Sequence, residues 1–316
     1  MSVIEVVAPG LLTTVQDLGR EGFGPLGVSP SGAADALSLR VGNRLVGNPE
    51  TAAALEMTLL GGTFAFMDAA VAALAGSEFG ATLDEAPLPL WTSFQVGSGG
   101  VLRVGSTRAG ARCYLCVRGG IAEPLLLGSA STHLLSGLGG HQGQALKKGD
   151  RLSLGPGRRF ERFERKTVST LALGRFAPRK VLRVTAGPQL DRFSPEAIRA
   201  FYANSYRVAE ESNRMGLRLE GTPIAEKVPG EMTSEGVALG AVQVPTGGLP
   251  IILFVEQQTT GGYAKIANVI SADFHSLGQL RPRDEVRFQA VGWEEARVAL
   301  VEQERLLASQ GLLTYD

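Results

Sequence analysis

The chain is poor in cysteine, histidine and tryptophan, and it carries no surplus of either charge. Its 316 residues include 2 Cys, 3 His, 2 Trp and 5 Tyr, with 31 Lys and Arg against 31 Asp and Glu. The cysteines form Cys113-Tyr-Leu-Cys116 inside a run that reads as a strand. Strand residues three apart face opposite sides, so the thiols should not meet, and a redox pair is excluded. His133, His141 and His275 are the only imidazoles. With no H-x-x-x-H and no second cysteine pair, the zinc-site spacings are missing. A sequence pI of 6.9 lacks the basic excess of a nucleic-acid footprint. Apolar runs such as Ala69–Ala75 are about 7 residues long, against the ~20 a membrane-spanning helix needs. The opening MSVIEVVAPG has neither a basic start nor an apolar h-region, so no signal peptide is expected and the cytoplasm is the expected location.

Chemical motifs are also scarce. There is no G-x-x-x-x-G-K-[ST] phosphate loop, no G-x-S-x-G nucleophile elbow, and no Met-Lys-Met of a biotin carrier. Gly22-Phe-Gly24-Pro-Leu-Gly27 fits the G-x-G-x-x-G pattern of dinucleotide binders. Pro25 and the following Val-Ser-Pro-Ser-Gly break the helix that pattern must open.

What the chain has is glycine, 41 in all, and short apolar or alternating runs between turns. These predict a mostly β protein, with strands at Val3–Ala8, Leu55–Leu60, Thr63–Met67, Ala70–Leu74, Phe94–Val96, Val101–Val104, Arg112–Val117 and Arg151–Leu154. Few helices are expected. One should run from a Ser31 cap to Val46, with Ala33, Leu37, Val41 and Leu45 on its apolar face, leaving Asp35, Arg40, Asn43 and Arg44 as solvated surface. Ser194-Pro195-Glu196 starts another. A last one spans Trp293 to Ser309 with Trp293, Ala296, Leu300 and Leu307 buried. The Ser- and Gly-rich stretch Gly128–Gly143 reads as a mobile connector or a lid. The basic cluster Arg158, Arg159, Arg162, Arg165 and Lys166 is interleaved with Glu161 and Glu164 and reads as solvated.

A faint internal echo links the halves. Ile4–Gly10 resembles Leu182–Pro188, and Lys147–Leu154 resembles Arg281–Phe288. Two tandem β-barrels, residues 1–176 and 177–316, explain both pairs. The richest polar stretch follows the apolar run Ile251–Val255: Glu256, Gln257, Gln258, Thr259, Thr260, Gly261, Gly262, Tyr263, Ala264 and Lys265. A glycine pair there permits backbone conformations closed to other residues and can cup an anion, or simply make a turn. In Asn213–Glu220, alternation puts Met215, Leu217 and Leu219 inward and Arg214 with Arg218 on the other face.

Several of these stretches together resemble a known family. PGLLTTVQDLGR (Pro9–Arg20), SPSGAAD (Ser29–Asp35), NRLVGNPE (Asn43–Glu50), SNRMGLRLEG (Ser212–Gly221), GAVQVPTGG (Gly240–Gly248) and QTTGGYAKIANVISAD (Gln258–Asp273) are similar to the biotin-dependent carboxyltransferase family, also called allophanate hydrolase subunit 2-like. The resemblance covers about residues 3 to 290 and implies two cyclophilin-like barrels in tandem. A free-standing chain of this length resembles the 5-oxoprolinase branch of the family, in the place of that enzyme's C subunit. That implies ATP-driven opening of a cyclic amide, 5-oxo-L-proline, to L-glutamate with partner subunits A and B, the latter subunit-1-like, and with no nucleic acid or membrane involved. Two other family roles remain: half of a carboxyltransferase acting on urea or another small amide, with biotin on a separate chain, and a non-catalytic regulator of a kinase-inhibitor-like partner. Three positions depart from the family pattern. Ala264 replaces a proline, Asn213 a common aspartate that could pair with Arg214, and Glu256-Gln257 a basic or small residue.

A lactam amide is a poor electrophile, and phosphorylating its carbonyl oxygen opens the ring carbon to water. The resemblance then points to Lys265, Arg214 and Arg20 for charge, and to Thr259, Thr260 and the Gly261-Gly262 backbone as neutral donors. Gln16, Asp17 and Tyr263 are left to orient the substrate or carry a proton. No metal is expected.

Overall fold

The computed structural model describes residues 2–156, 163–227 and 232–315. Arg158, Arg159, Glu161 and Arg162 of the basic cluster lie outside the described residues. The chain divides into two compact units. Unit 1 holds residues up to Arg20, Ser31–Phe176 and Leu306 onward; unit 2 holds Glu21–Pro30 and Ala177–Arg305.

Unit 1 contains strands β1 (Val3–Ala8), β2 (Leu12–Gln16), β3 (Ala54–Thr58), β4 (Thr63–Phe66), β5 (Ala70–Gly76), β6 (Ala81–Leu83), β7 (Ala86–Leu88), β8 (Ser93–Val96), β9 (Val101–Val104), β10 (Arg112–Val117), β11 (Arg151–Ser153) and β12 (Lys166–Val168). They build a six-stranded sheet, β11-β1-β4-β9-β6-β7, and a five-stranded sheet, β2-β3-β10-β5-β8. Both sheets face one core. Ile4, Val6, Phe64 and Leu102 come from the first, and Leu55, Leu74, Cys113 and Leu115 from the second. Alternation along β10 sends Cys116 to the opposite face, where it meets helix α1 (Ala36–Val46). The thiols therefore lie on opposite faces, as the spacing predicts. A Cβ on Gly42 of α1 would sit 2.6 Å from Cys116 Sγ, so the glycine sets how closely the helix approaches. Helix α2 (Thr170–Arg175) follows β12, and Leu313–Tyr315 near the chain end pairs antiparallel with β12.

The cap of helix α1 lies four residues later than the sequence predicts. It is Asp35, whose side chain accepts from the Ser38 N–H and hydroxyl at 2.9 and 2.6 Å. Ser31 instead takes a positive φ of 55° and donates to the Thr132 carbonyl. The polar residues assigned to a solvated face are engaged. Asp35 and Asn43 are buried, and Asn43 donates to the carbonyls of Glu50 and Ala52. Arg40 and Arg44 pair with Glu50. The Gly128–Gly143 stretch is stitched down. Ser129, Ser131 and Thr132 are buried, and the Thr132 N–H reaches the Val15 carbonyl. These hydroxyls bind the Val15 carbonyl and the Asp17 carboxylate, more than a hundred residues away in sequence, while residues 135–137 are exposed.

Unit 2 is a closed seven-stranded barrel. Its strands are β13 (Val181–Ala186), β14 (Tyr206–Val208), β15 (Gly216–Glu220), β17 (Ala241–Val244), β18 (Ile251–Leu253), β20 (Ala264–Val269) and β21 (Glu285–Ala290). A two-stranded ribbon, β16 (Glu235–Gly236) with β19 (Thr260–Gly261), stands beside it. Helix α3 (Pro195–Ala203) starts where predicted, with Ser194 capping the Ala197 N–H at 3.1 Å. After the short α4 (Phe274–Gly278) comes α5 (Trp293–Ala308). The predicted buried stripe of α5 largely fails. Trp293 is 75% exposed, and among the helix residues only Leu307 is buried. None of the described helices is long and apolar enough to cross a membrane.

The echo has a structural meaning in the closing strands. Asp150 and Asp284 cap the same turn, accepting from the Lys147 and Arg281 N–H groups at 2.7 and 2.9 Å. The opening strands differ. β1 runs antiparallel to β11, whereas β13 runs parallel to β21. The antiparallel neighbour of β21 is β14.

Candidate functional site

The predicted residues fall into two groups, one in each unit. In unit 1, Gln16, Asp17 and Arg20 are all buried. Asp17 holds the Ser129–Ser131 stretch. Its carboxylate accepts from the hydroxyls of Ser129 and Ser131 at 2.6 and 2.5 Å, and from the backbone of Gly19 and Ala130 at 2.8 and 2.7 Å. Four donors on one carboxylate fill its acceptor sites and anchor the stretch to the end of β2. Arg20 donates to the carbonyls of Ser131 and Leu126. Gln16 Nε2 donates to Thr14 Oγ1 and the Thr132 carbonyl at 3.0 Å each, while its Oε1 has no hydrogen-bond partner. That leaves Gln16 with an acceptor to offer a ligand.

In unit 2, Arg214 does not share a face with Arg218. It precedes β15, is buried, and donates from Nε to Glu256 Oε1 at 2.5 Å. Glu256 is buried as well. One of the three departures from the family pattern thus supplies the partner that Asn213 cannot be. Asn213 instead accepts from the Met215 N–H at 2.8 Å.

The glycine pair behaves differently from expectation. Neither Gly261 nor Gly262 has a left-handed φ. Their value is space. A Cβ on Gly261 would lie 2.6 Å from Gln243 Nε2, and one on Gly262 would lie 2.9 Å from the Met232 carbonyl. Gly261 belongs to β19 and Gly262 accepts from the Met232 N–H, so the pair lies in and beside a ribbon. Thr259 is bound into it through its carbonyl, which accepts from the Val237 N–H. Thr260 and Tyr263 are exposed.

Lys265 opens the barrel side of β20, opposite Gln243 of β17 in the ladder. Residues paired across a ladder project from the same face. Lys265 is 3% exposed and Gln243 1%. Lys265 Nζ lies 2.6 Å from Glu235 Oε1. The contact is close but poorly aligned as a hydrogen bond, so it is an ion pair. Gln189 frames it. Its Nε2 donates to the same Glu235 carboxylate oxygen at 2.8 Å, and its Oε1 accepts from the Lys265 N–H at 3.2 Å. Lys265 first, then Gln189, holds the Glu235 carboxyl below its ordinary value. Gln258 Nε2 donates to Gln243 Oε1 at 3.2 Å, leaving Gln243 Nε2 without a partner against Gly261. Gln257 is buried with its Oε1 unpartnered.

Sequence reasoning missed Gln189, Glu235 and Gln243. Only Gln243 carried a local signal: a polar residue between Val242 and Val244 in a strand buried at every position. Together the unit 2 residues offer a buried ammonium, a free amide donor and a free amide acceptor. That set can grip an amide or an anion. Among the described residues no cluster of three or more His, Cys, Asp or Glu could hold a metal.

Comparisons with known proteins place the chain in a family. The family described as carboxyltransferase domain, subdomain A and B, matches residues 26–290. The chain is 38% identical to the 5-oxoprolinase C subunit of Escherichia coli (strain K12), over 96% of each chain. It is 36% identical to the Haemophilus influenzae protein of the same name, over 93% of each. The crystal structure of the K. lactis urea amidolyase superposes with a TM-score of 0.90 at 33% identity, covering 96% of this chain but 20% of the larger one. The chain belongs to the carboxyltransferase domain, subdomain A and B, family.

Proposed function

We propose that the chain is the C subunit of an ATP-dependent 5-oxoprolinase, opening 5-oxo-L-proline to L-glutamate together with partner subunits A and B. The observation that carries this is end-to-end likeness. The relatives named as the 5-oxoprolinase C subunit match over nearly their whole length, whereas the urea amidolyase likeness occupies a fifth of a larger protein. The lactam needs activation. Transfer of a phosphoryl group from ATP to its carbonyl oxygen, with ADP leaving, gives a carbon that water attacks. The adduct collapses by breaking the ring C–N bond, which frees the amine and leaves an acyl phosphate, and a second water hydrolyses that to glutamate and phosphate. Lys265 supplies positive charge, and Gln243 Nε2 a donor for the developing oxyanion or the amide oxygen. Arg214 neutralises Glu256 and keeps the Glu256-Gln257 turn in place. The chain works only in the assembled enzyme.

The test is release of phosphate and glutamate by this chain mixed with its A and B partners and ATP. Both products should appear only in the full mixture and only with 5-oxoproline. Lys265→Ala should lower kcat/KM by about a hundredfold, the scale of truncating one partner of a buried charge contact. Full activity in that variant would remove Lys265 from the mechanism. The TM-score of 0.90 favours a second reading, half of a carboxyltransferase for urea or another small amide with biotin on another chain. Turnover that needs a biotin carrier and bicarbonate, and ignores 5-oxoproline, would select it.

A further inference from the structure

The two buried cations of the unit 2 site are neutralised in different ways. Arg214 and Glu256 are both buried, and neither can leave without stranding the other. Lys265 is equally buried, but its counter-ion is not. The Glu235 side chain is 44% exposed and sits on the two-residue ribbon β16. Glu235 can rotate into water at little desolvation cost; Lys265 cannot. A buried ammonium left alone is costly. Another carboxylate must therefore enter as Glu235 leaves.

The position of Glu235 Oε1 is already built for such a guest. Lys265 Nζ and Gln189 Nε2 both address it from the protein side. Gln189 is fixed in turn by the Lys265 N–H. Beside it, Gln243 Nε2 is buried, unpartnered and aimed at the face of Gly261, where any side chain would intrude. A carboxylate replacing Glu235 would inherit two donors and lie next to a third.

We propose that Glu235 is a resident stand-in for the ligand's carboxylate: the Lys265–Gln189 subsite binds the carboxylate of a small acidic amide by exchanging it for Glu235. This rests on the reading of the chain as a 5-oxoprolinase subunit and deepens it. The subsite recognises the acid end of the substrate and leaves the lactam to Gln243 and its neighbours. Glu235 acts as a specificity residue. A neutral amide gives Lys265 no replacement anion and leaves the Glu235 pair closed.

The experiment is calorimetric titration of the chain with 5-oxo-L-proline and with its neutral carboxamide, at constant ionic strength. Glu235→Gln keeps the shape and the Gln189 contact but removes the competing charge. Because it also leaves the buried Lys265 ammonium without its counter-ion, the variant's Tm and circular dichroism are matched to the wild type before titration. The variant should bind the acid about two- to fivefold more tightly than the wild type, the range a half-exposed ion pair spans. Its affinity for the carboxamide should not change. Lys265→Met should abolish the preference for acid over carboxamide. Equal gains for both ligands, no gain for the acid, or no acid binding by any form would overturn the proposal. If the acid-selective gain appears but the assembled enzyme leaves 5-oxoproline intact, the carboxylate subsite stands and the 5-oxoprolinase reading falls.

Discussion

At the scale of single residues, the site is decided by which buried charges are permanently paired. Arg214 and Glu256 share a contact of 2.5 Å out of solvent. Removing one partner leaves the other uncompensated, which typically costs about 3–5 kcal/mol. Arg214→Met and Glu256→Met should each destabilise on that scale in urea titration, and the double variant should recover most of the loss. Additive losses would mean the two residues do not act as a pair. Gly261→Ala makes a different demand. Its new methyl would displace the Gln243 amide, so the variant should fold with nearly unchanged stability and lose substrate affinity; a fall in Tm without a rise in KM would contradict this. Lys265 was legible from the sequence as a cation at a polar turn, and Arg214 as a cation on one face of an alternating strand. Their counter-ions were not. Glu256 is 42 residues from Arg214 and Glu235 is 30 from Lys265, separations bridged by the β15–β18 pairing and by the β16–β19 ribbon.

Among the elements, apolar or alternating runs marked most strands of unit 1, because strands buried on a face write their pattern directly into the sequence. In unit 2 they marked β15 and β18 but left β14, β16, β19 and β20 unannounced. Helix edges were harder to read. Ser31 and Asp35 are both acceptable caps, and the choice is made by the Thr132 carbonyl, which takes the Ser31 hydroxyl. The repeated turn shows what the echo encodes. Its third position is left-handed in both units, Gly149 at φ 92° and Arg283 at φ 72°. Nothing lies near a Cβ on Gly149, so Gly149→Ala meets only backbone strain. It should cost about 1 kcal/mol by chemical denaturation, and an unchanged midpoint would show that the turn relaxes. Strand β10 carries a pH signature. Burial pushes the Cys113 thiol from 9.0 up to about 12. Above pH 9 the unfolded chain loses this proton while the folded chain keeps it, so ionisation favours unfolding. This group should lower stability with a slope of about 1.4 kcal/mol per pH unit between pH 9 and 12. Burial also raises Cys116 and Tyr114, which add slopes of the same sign. Cys113→Ala, compared with wild type across that range, should therefore lessen the slope by the share of one group without abolishing it.

For the molecule as a whole, the chain's return to unit 1 after Arg305 is the least legible feature and the one with the largest expected effect. Composition around Gly174–Lys180 suggests a single crossing from one half to the next, and no local pattern announces that residues beyond Leu306 belong with the first. The reason is physical. Leu307 and Leu312 look like ordinary residues at the end of an amphipathic helix, and only packing shows which core they enter. Both are buried in the cluster with Leu39, Leu45, Tyr114 and Cys116. The following strand pairs with Lys166–Val168, and the Ser169 hydroxyl donates to the Gly311 carbonyl at 2.7 Å. Truncation after Arg305 removes all of this. Each buried leucine is worth about 2–5 kcal/mol, against a total of roughly 5–15 kcal/mol for a typical domain. The truncated chain should therefore lose most of the stability of unit 1. Limited proteolysis should show new cleavage within residues 31–176, while sites within 181–290 stay protected. Trp293→Ala, on the exposed start of the same helix, should change stability by less than about 0.5 kcal/mol. If truncation leaves the cleavage pattern of 31–176 unchanged, the returning segment is a passive tail, and the core beneath α1 is complete without it.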